Sequence, residues 1–301
     1  MGKLKELFIE IYGLDITQNL LKKTENGEQF VPKETIAEAL RLCTKRESKC
    51  SKCPGAQHQD FPGFCGKIQY NEKNKVINKD ILIFGLEVSS KTSILESFLR
   101  YTGVRDSHIH IWYDLGYFKK EEIDKLLANS PLWPNIDLFL PLKDNINRMY
   151  GTDLAKCYST LTKEKKRTTA FENCREYLFR ELECFKDDGL IFIFQGNDCR
   201  DYFENYVDLR KNDLFITFLR RHQIELEIFG ITPTKGGDFP IEIGTFSSNE
   251  ESKTPLKKSG KYLRIYHSSK QNENTFWKKL RERISEEPLY EMVSEIKKFL
   301  L

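Results

Sequence analysis

Four apolar runs do most to limit how this chain can fold: DILIFGLEVSS (80–90), NRMYGTDLA (147–155), LIFIFQGND (190–198) and YLRIYHSS (262–269). They are rich in β-branched and aromatic residues, and each ends in small or polar ones. Such near-continuous apolarity marks strands covered on both faces, as in parallel sheets. Helical patterns separate them: SILESFLRYTG (93–103), EEIDKLLANS (121–130), AFENCREYLFRELECF (170–185) and TFWKKLRERI (275–284). The alternation predicts a layered α/β fold with its active groups at the carboxyl ends of the strands. That rule brings Glu87, Asp153, Asn197 and His267 towards one edge.

Two stretches fit this scheme less directly. Residues 104–146 contain HIHIWYDLGYF and PNIDLFLPL, which read as extra strand and loop. Residues 213–246 carry β-type alternation broken by Gly-Gly and Pro, and the most linker-like segment is SSNEESKTPLKKSGK at 247–261. We read both regions as insertions, near 104–146 and 213–261, in one domain spanning 1–301. An N-terminal segment, 1–79, precedes the first core strand. It opens with MGKLKELFIEIYGL, an amphipathic helical pattern without the apolar stretch of a signal peptide or membrane span. The expectation is an intracellular protein, in cytoplasm or nucleoid, with no membrane partner. In that setting eight cysteines point to metal ligands and buried thiols rather than to disulfides.

The cysteines fall in a pattern that admits two metal sites. Cys50 and Cys53 in KCSKCPG, with Cys157 in LAKCY and Cys174 in ENCREYL, give C-x2-C plus C-x16-C, a set able to enclose an iron–sulfur cluster or a zinc ion. Such a site would clip the N-terminal segment onto the middle of the core. Alternatively Cys43, Cys50, Cys53 and Cys65, with His58 nearby, would form a local zinc site, and spacing alone does not choose. The net charge is only +3, yet the cations are unevenly placed. Lys163, Lys165, Lys166 and Arg167 form one run, and Lys253, Lys257, Lys258, Lys261, Arg264 and Lys270 thread another. Runs like these can follow a phosphate backbone, and they equally describe a solvated lysine-rich surface.

Four stretches, in order along the chain, resemble the uracil-DNA glycosylase superfamily, and most closely its iron–sulfur-containing family 4. CSKCPG is similar to that family's N-terminal C-x-x-C-P-L block. MYGTDLAKCYSTLTKEKKRTTAFENCREYL is similar to a strand ending in Asn followed by Lys-Cys, an Arg-Thr loop and a helix opening with Cys-Arg-x-Tyr-Leu. LFRELECFKDDGLIFIFQGNDCRDYF resembles the helix and strand that end in Leu-Gly-x-x-Ala, and YHSSKQNENTFWKKL resembles the His-Pro-Ser motif with its Trp-bearing helix.

The resemblance implies a three-layer α/β/α fold around a central, mainly parallel four-stranded sheet. It also implies a [4Fe–4S] cluster on Cys50, Cys53, Cys157 and Cys174, in preference to zinc, with DNA as partner. The implied reaction is hydrolysis of the bond between an aberrant base and deoxyribose, the nucleotide having been extruded from the duplex. The motif after the first strand reads Phe84-Gly85-Leu86-Glu87-Val88-Ser89-Ser90. Leu86 stands where the family has Glu, and Glu87 where other branches carry a water-activating Asp. His267 aligns with the histidine that meets the departing base, Ser268 replaces the family's Pro, and Ser268, Ser269 and Lys270 would grip a phosphate. Asp153 stands where an Asn amide both donates to and accepts from uracil. An ionised Asp only accepts, so a carboxylate here suits a base edge that offers donors, or serves as a turn cap. The alternative to an enzyme is a non-catalytic DNA-binding or interaction module that keeps the fold.

Overall fold

The structure is a computed structural model that describes residues 2–12, 21–24, 27–30, 56–59, 63–64, 68–87, 145–159, 170–221, 241–265 and 286–301. The first apolar run becomes strand β5 (Ile81–Glu87), the second β6 (Met149–Ala155), the third β8 (Leu190–Gln195) and the fourth β11 (Gly260–Ile265). Before them lie helix α1 (Lys3–Tyr12) and the short strands β1 (Leu21–Thr24), β2 (Gly27–Phe30), β3 (Ala56–Gln59) and β4 (Gly63–Phe64). β7 (Cys157–Ser159) and α2 (Glu172–Glu183) follow β6, and α3 (Asn197–Glu204) follows β8. Next come β9 (Val207–Asn212), α4 (Leu214–Arg221) and β10 (Ile241–Ser248), and α5 (Glu286–Leu300) closes the described chain.

The class is α/β. Its main sheet is mixed and seven-stranded, in the order β4-β6-β5-β8-β11-β10-β9. β6, β5, β8 and β11 are parallel neighbours, while β4, β10 and β9 join antiparallel. Every residue of β6 and of β8 is buried, the burial that their unbroken apolar character anticipates.

One face carries Leu82, Phe84, Tyr150, Leu154, Phe192, Phe194 and Tyr262 in a core cluster with residues of α1, α2 and α3. Rings dominate it: Phe84 and Phe203 lie 4.6 Å apart, and Phe192 stacks on Phe246 at 4.1 Å. The opposite face presents Leu263, Ile265, Ile241 and Ile243, where α4 packs on β10 and α5 on β11. Phe215, Phe218, Met292 and Ile296 are buried there. Helices thus cover both faces.

The region after 213 differs from the sequence reading. Residues 214–221 form a helix where β-alternation was expected, because FITF places Phe215 and Phe218 three apart on one buried helical face. β9 and β10 extend the main sheet. The linker-like stretch is pinned: Leu256 N–H donates to Tyr206 O at 3.1 Å, Ser252 Oγ to Asn205 O at 2.8 Å, and Ser259 N–H to Asp187 O at 2.9 Å. Lys258 within it is buried, its ammonium donating to Phe185 O at 2.8 Å and Asp187 at 2.6 Å. The helical patterns at 93–103, 121–130 and 275–284 and the insertion at 104–146, apart from its last two residues, lie outside the described residues. Among the described residues no helix is long and apolar enough to cross a membrane.

Candidate functional site

The two edges of the parallel strands differ in chemistry. At the amino edge, polar side chains are consumed by one another. Asp80, at the foot of β5, accepts from Arg148 Nε at 2.9 Å and Nη2 at 3.0 Å and from Lys186 at 3.2 Å. Its N–H meets Arg148 O and its carbonyl meets Ile191 N–H, so one residue ties together the starts of three strands. Burial alone would push the Asp80 carboxyl up, but the hydrogen bond and charge of Arg148, with those of Lys186, hold it below the ordinary carboxylate value. This edge is built for stability.

The carboxyl edge carries the candidate residues. Gly85 pairs with Asp153 and Glu87 with Ala155, while Phe84 pairs with Phe194, one residue before Gln195. Gln195 pairs in turn with Ile265. Asp153, Gly85, Gln195 and Ile265 therefore share one level of the sheet, stepping about 4.8 Å from strand to strand. Asp153 is 7% exposed and Gln195 is buried. The order β6-β5-β8 means that the chain leaves β5 in one direction and later returns past it. In open α/β sheets, ligands bind outside the strand ends at such a switch point. Here that point is flanked by Gly85 and Glu87 on one strand and by Gln195 and Gly196 on the other.

The turn after β8 is shaped for this edge. Gly196 has φ 98°, a left-handed conformation that favours glycine, and its N–H donates to Ile265 O at 2.7 Å and to Phe194 O at 3.2 Å. α3 starts at the next residue and buries Cys199. Burial, and then the charge of Asp153, raise the Cys199 thiol well above its ordinary value, which makes it an inert packing group beside that carboxylate. Leu86 is half-buried against the core cluster. His267, Ser268, Ser269 and Lys270 lie outside the described residues, as do Cys50 and Cys53.

The second basic run is not a continuous surface. Lys258 and Arg264 are buried, and Arg264 points at the Glu242 carboxylate from 3.8 Å, whereas Lys253 and Lys257 are exposed. The first run, 163–167, lies outside the described residues. β-branched and aromatic neighbours in YLRIY signal a buried strand, and that signal outweighs the charge of Arg264.

The cysteine pair can be followed further. Cys174 is the third residue of α2, buried, and its Sγ accepts the N–H of Lys156 at 3.4 Å. Cys157 is the next residue and opens β7, which pairs antiparallel with β3 through Gln59↔Cys157, His58↔Tyr158 and Ala56↔Ser159. The strand that begins three residues after Cys53 is therefore hydrogen-bonded to the strand that begins at Cys157. A thiol at the first turn of a helix, bonded by a main-chain amide, is a suitable metal ligand. Of the four cysteines only Cys174 has a described side chain, and among the described residues no three metal-binding side chains converge.

Sequence reasoning missed the group beneath this pair. Lys156 is ion-paired with Glu181 of α2, Thr152 bonds both, and Tyr150 donates to Glu181. The available signal was the seven-residue spacing of Cys174 and Glu181, which puts both on one helix face. No family model, curated protein or solved structure matches the chain.

Proposed function

We propose that this chain is a DNA-binding, iron–sulfur-containing protein of the DNA-glycosylase type, which hydrolyses the N-glycosidic bond of a damaged or modified base. One observation carries the reading: Asp153 and Gln195, from two of the four stretches that resemble glycosylase motifs, share one level of the carboxyl edge with Gly85 at the switch between β5 and β8. A parallel centre of four strands, within a three-layer arrangement, is the framework that such a site needs.

In this reading Glu87, at the end of β5, takes a proton from water as the water oxygen bonds to the sugar carbon and the carbon–nitrogen bond breaks. His267, two residues beyond the end of β11, donates to the departing base as negative charge develops on it. Ser268, Ser269 and Lys270 hold a backbone phosphate, and the cluster on Cys50, Cys53, Cys157 and Cys174 fastens the N-terminal segment to the core. Asp153 selects the substrate. A buried carboxylate facing a uracil carbonyl sets acceptor against acceptor, at a cost of about 1–3 kcal/mol or more, whereas an amino-bearing edge supplies the missing donor.

A panel of oligonucleotides, each with one lesion, tests the proposal. The native protein should bind DNA with an affinity that falls steeply as salt rises, and should act weakly or not at all on uracil. Asp153→Asn should gain uracil excision, and His267→Ala in that background should abolish it. Efficient uracil removal by the native protein refutes the role given to Asp153. If neither protein acts on any lesion, the alternative of a non-catalytic DNA-binding or interaction module stands, an outcome that Leu86 in the place of the motif's carboxylate would explain.

A further inference from the structure

β9 ends the main sheet, and among the described residues nothing pairs with its outer side. The strand at the opposite edge, β4, has two residues, whereas β9 has six. Its inner side is taken by β10 along its whole length, from Val207↔Ser248 to Asn212↔Ile243. Asp208, Arg210, Lys211 and Asn212 are exposed, and Leu209 is half-buried. Successive side chains alternate between the faces of a sheet, so Leu209 and Lys211 lie on the face of the core cluster and Asp208 and Arg210 on the other. Lys211 is already held by Glu242 at 3.0 Å. Asp208 and Arg210 meet no ion-pair partner among the described residues.

An exposed edge invites another strand, and natural sheets commonly blunt it with charge. The charges on β9 go further, because they select one partner. A second β9 laid antiparallel must keep its side chains on matching faces, so the two-fold axis passes through a residue rather than between two. With the axis at Leu209, Asp208 of each copy stands opposite Arg210 of the other, Leu209 meets itself, and Val207 meets the Lys211 that Glu242 holds. An axis at Arg210 would set two guanidinium groups face to face, and one at Asp208 two carboxylates. One register therefore matches every charge.

We propose that the outer side of β9 is a homodimer interface, on which a second copy of this chain adds its own β9 antiparallel about Leu209 and joins the two main sheets into one. Main-chain hydrogen bonds supply the affinity, and the Asp208–Arg210 pairs supply the register. A single pair of short strands falls at the small end of protein interfaces, so the dimer is weak and loosens as salt screens its charges. It involves no residue of the glycosylase reading.

Sedimentation velocity of the full chain, over a range of concentration and salt, reads the equilibrium. The native protein should pass from monomer to dimer as concentration rises, with a dissociation constant that increases with salt. Asp208→Arg and Arg210→Asp each place like charges opposite one another and should weaken self-association about tenfold or more. Both positions are exposed, so the thermal midpoint should stay near the native one. Mixed in equal amounts, the two variants should form a heterodimer about as tight as the native dimer, because every opposed pair is then Asp with Arg. Exchanging both residues within one chain, Asp208→Arg with Arg210→Asp, should likewise restore the homodimer. A native chain that stays monomeric throughout overturns the proposal. So do single variants that self-associate like the native chain, which would place the contact elsewhere, and a mixture of the two that stays monomeric. Should a reversal lower the thermal midpoint, Asp208→Asn with Arg210→Gln carries the test, since it creates no like-charge contact. It should flatten the salt dependence of self-association, and a native salt dependence in that variant overturns the interface.

Discussion

Asp80 and Glu242 show how single carboxylates set the acid behaviour of the protein. Glu242 accepts from the Tyr262 hydroxyl at 2.9 Å and from Lys211 at 3.0 Å. Burial pushes its carboxyl up, but those two hydrogen bonds and the nearby cations leave it below the ordinary value, as Arg148 and Lys186 do for Asp80. A carboxyl that binds its proton less tightly folded than unfolded contributes stability above the unfolded pKa, about 4, and that contribution is lost as pH falls through the lower folded value. Urea midpoints measured downward from pH 7 should therefore hold until about pH 4–5 and then decline. The variant Asp80→Asn, Glu242→Gln should start lower and decline less over the same range; an acid limb as steep as the native one would remove these residues from the account. Position along the strands made Asp153 legible in the sequence, since a polar residue near the end of a buried run sits at the edge. Arg264 and the Lys156–Glu181 pair were not legible, because their partners lie on other elements and only the assembled register brings the charges together.

Among the elements, the strands at the centre were the most legible, since two-sided burial writes itself as an unbroken apolar run. β9 escaped notice because VDLRKN is an edge strand whose last three residues are exposed and which carries little apolar signal. α4 was misread because a short FITF motif fits both a strand and a helix until packing decides. Close approach between strands is also fixed by residues that look innocuous. A Cβ on Gly260 would stand 1.9 Å from Leu190 O, and one on Gly244 2.2 Å from Arg210 O. Gly260→Ala should force β8 and β11 apart and lower stability by about 3 kcal/mol, read as a fall in thermal midpoint. The docking of α1 on α2 separates packing from charge. Phe8 is fully buried, whereas the Arg180–Glu10 pair is largely exposed. Phe8→Ala should cost about 3–5 kcal/mol and Arg180→Ala less than about 1 kcal/mol, so comparable losses would show that α1 is held by its ion pair.

For the whole molecule, the proposed four-cysteine site predicts that a metal joins the N-terminal segment to the core. β3 already pairs with β7, so the segment that follows Cys53 reaches Cys157 through backbone hydrogen bonds. A cluster on Cys50, Cys53, Cys157 and Cys174 would close a loop of about a hundred residues, and its binding energy would appear as folding energy because only the assembled site holds it. Protein purified without oxygen should then be brown, with about four irons per chain. Cys157→Ser and Cys174→Ser should each lose the colour and lower the thermal midpoint. Making both changes should cost little more than making one, since either removes the same site. Cys43→Ser and Cys65→Ser should keep the iron. The zinc alternative reverses each outcome: one zinc per chain, retained in Cys157→Ser and Cys174→Ser and lost in Cys43→Ser. Iron content and thermal midpoint in these four variants decide between a clip that spans the molecule and a local site within the N-terminal segment.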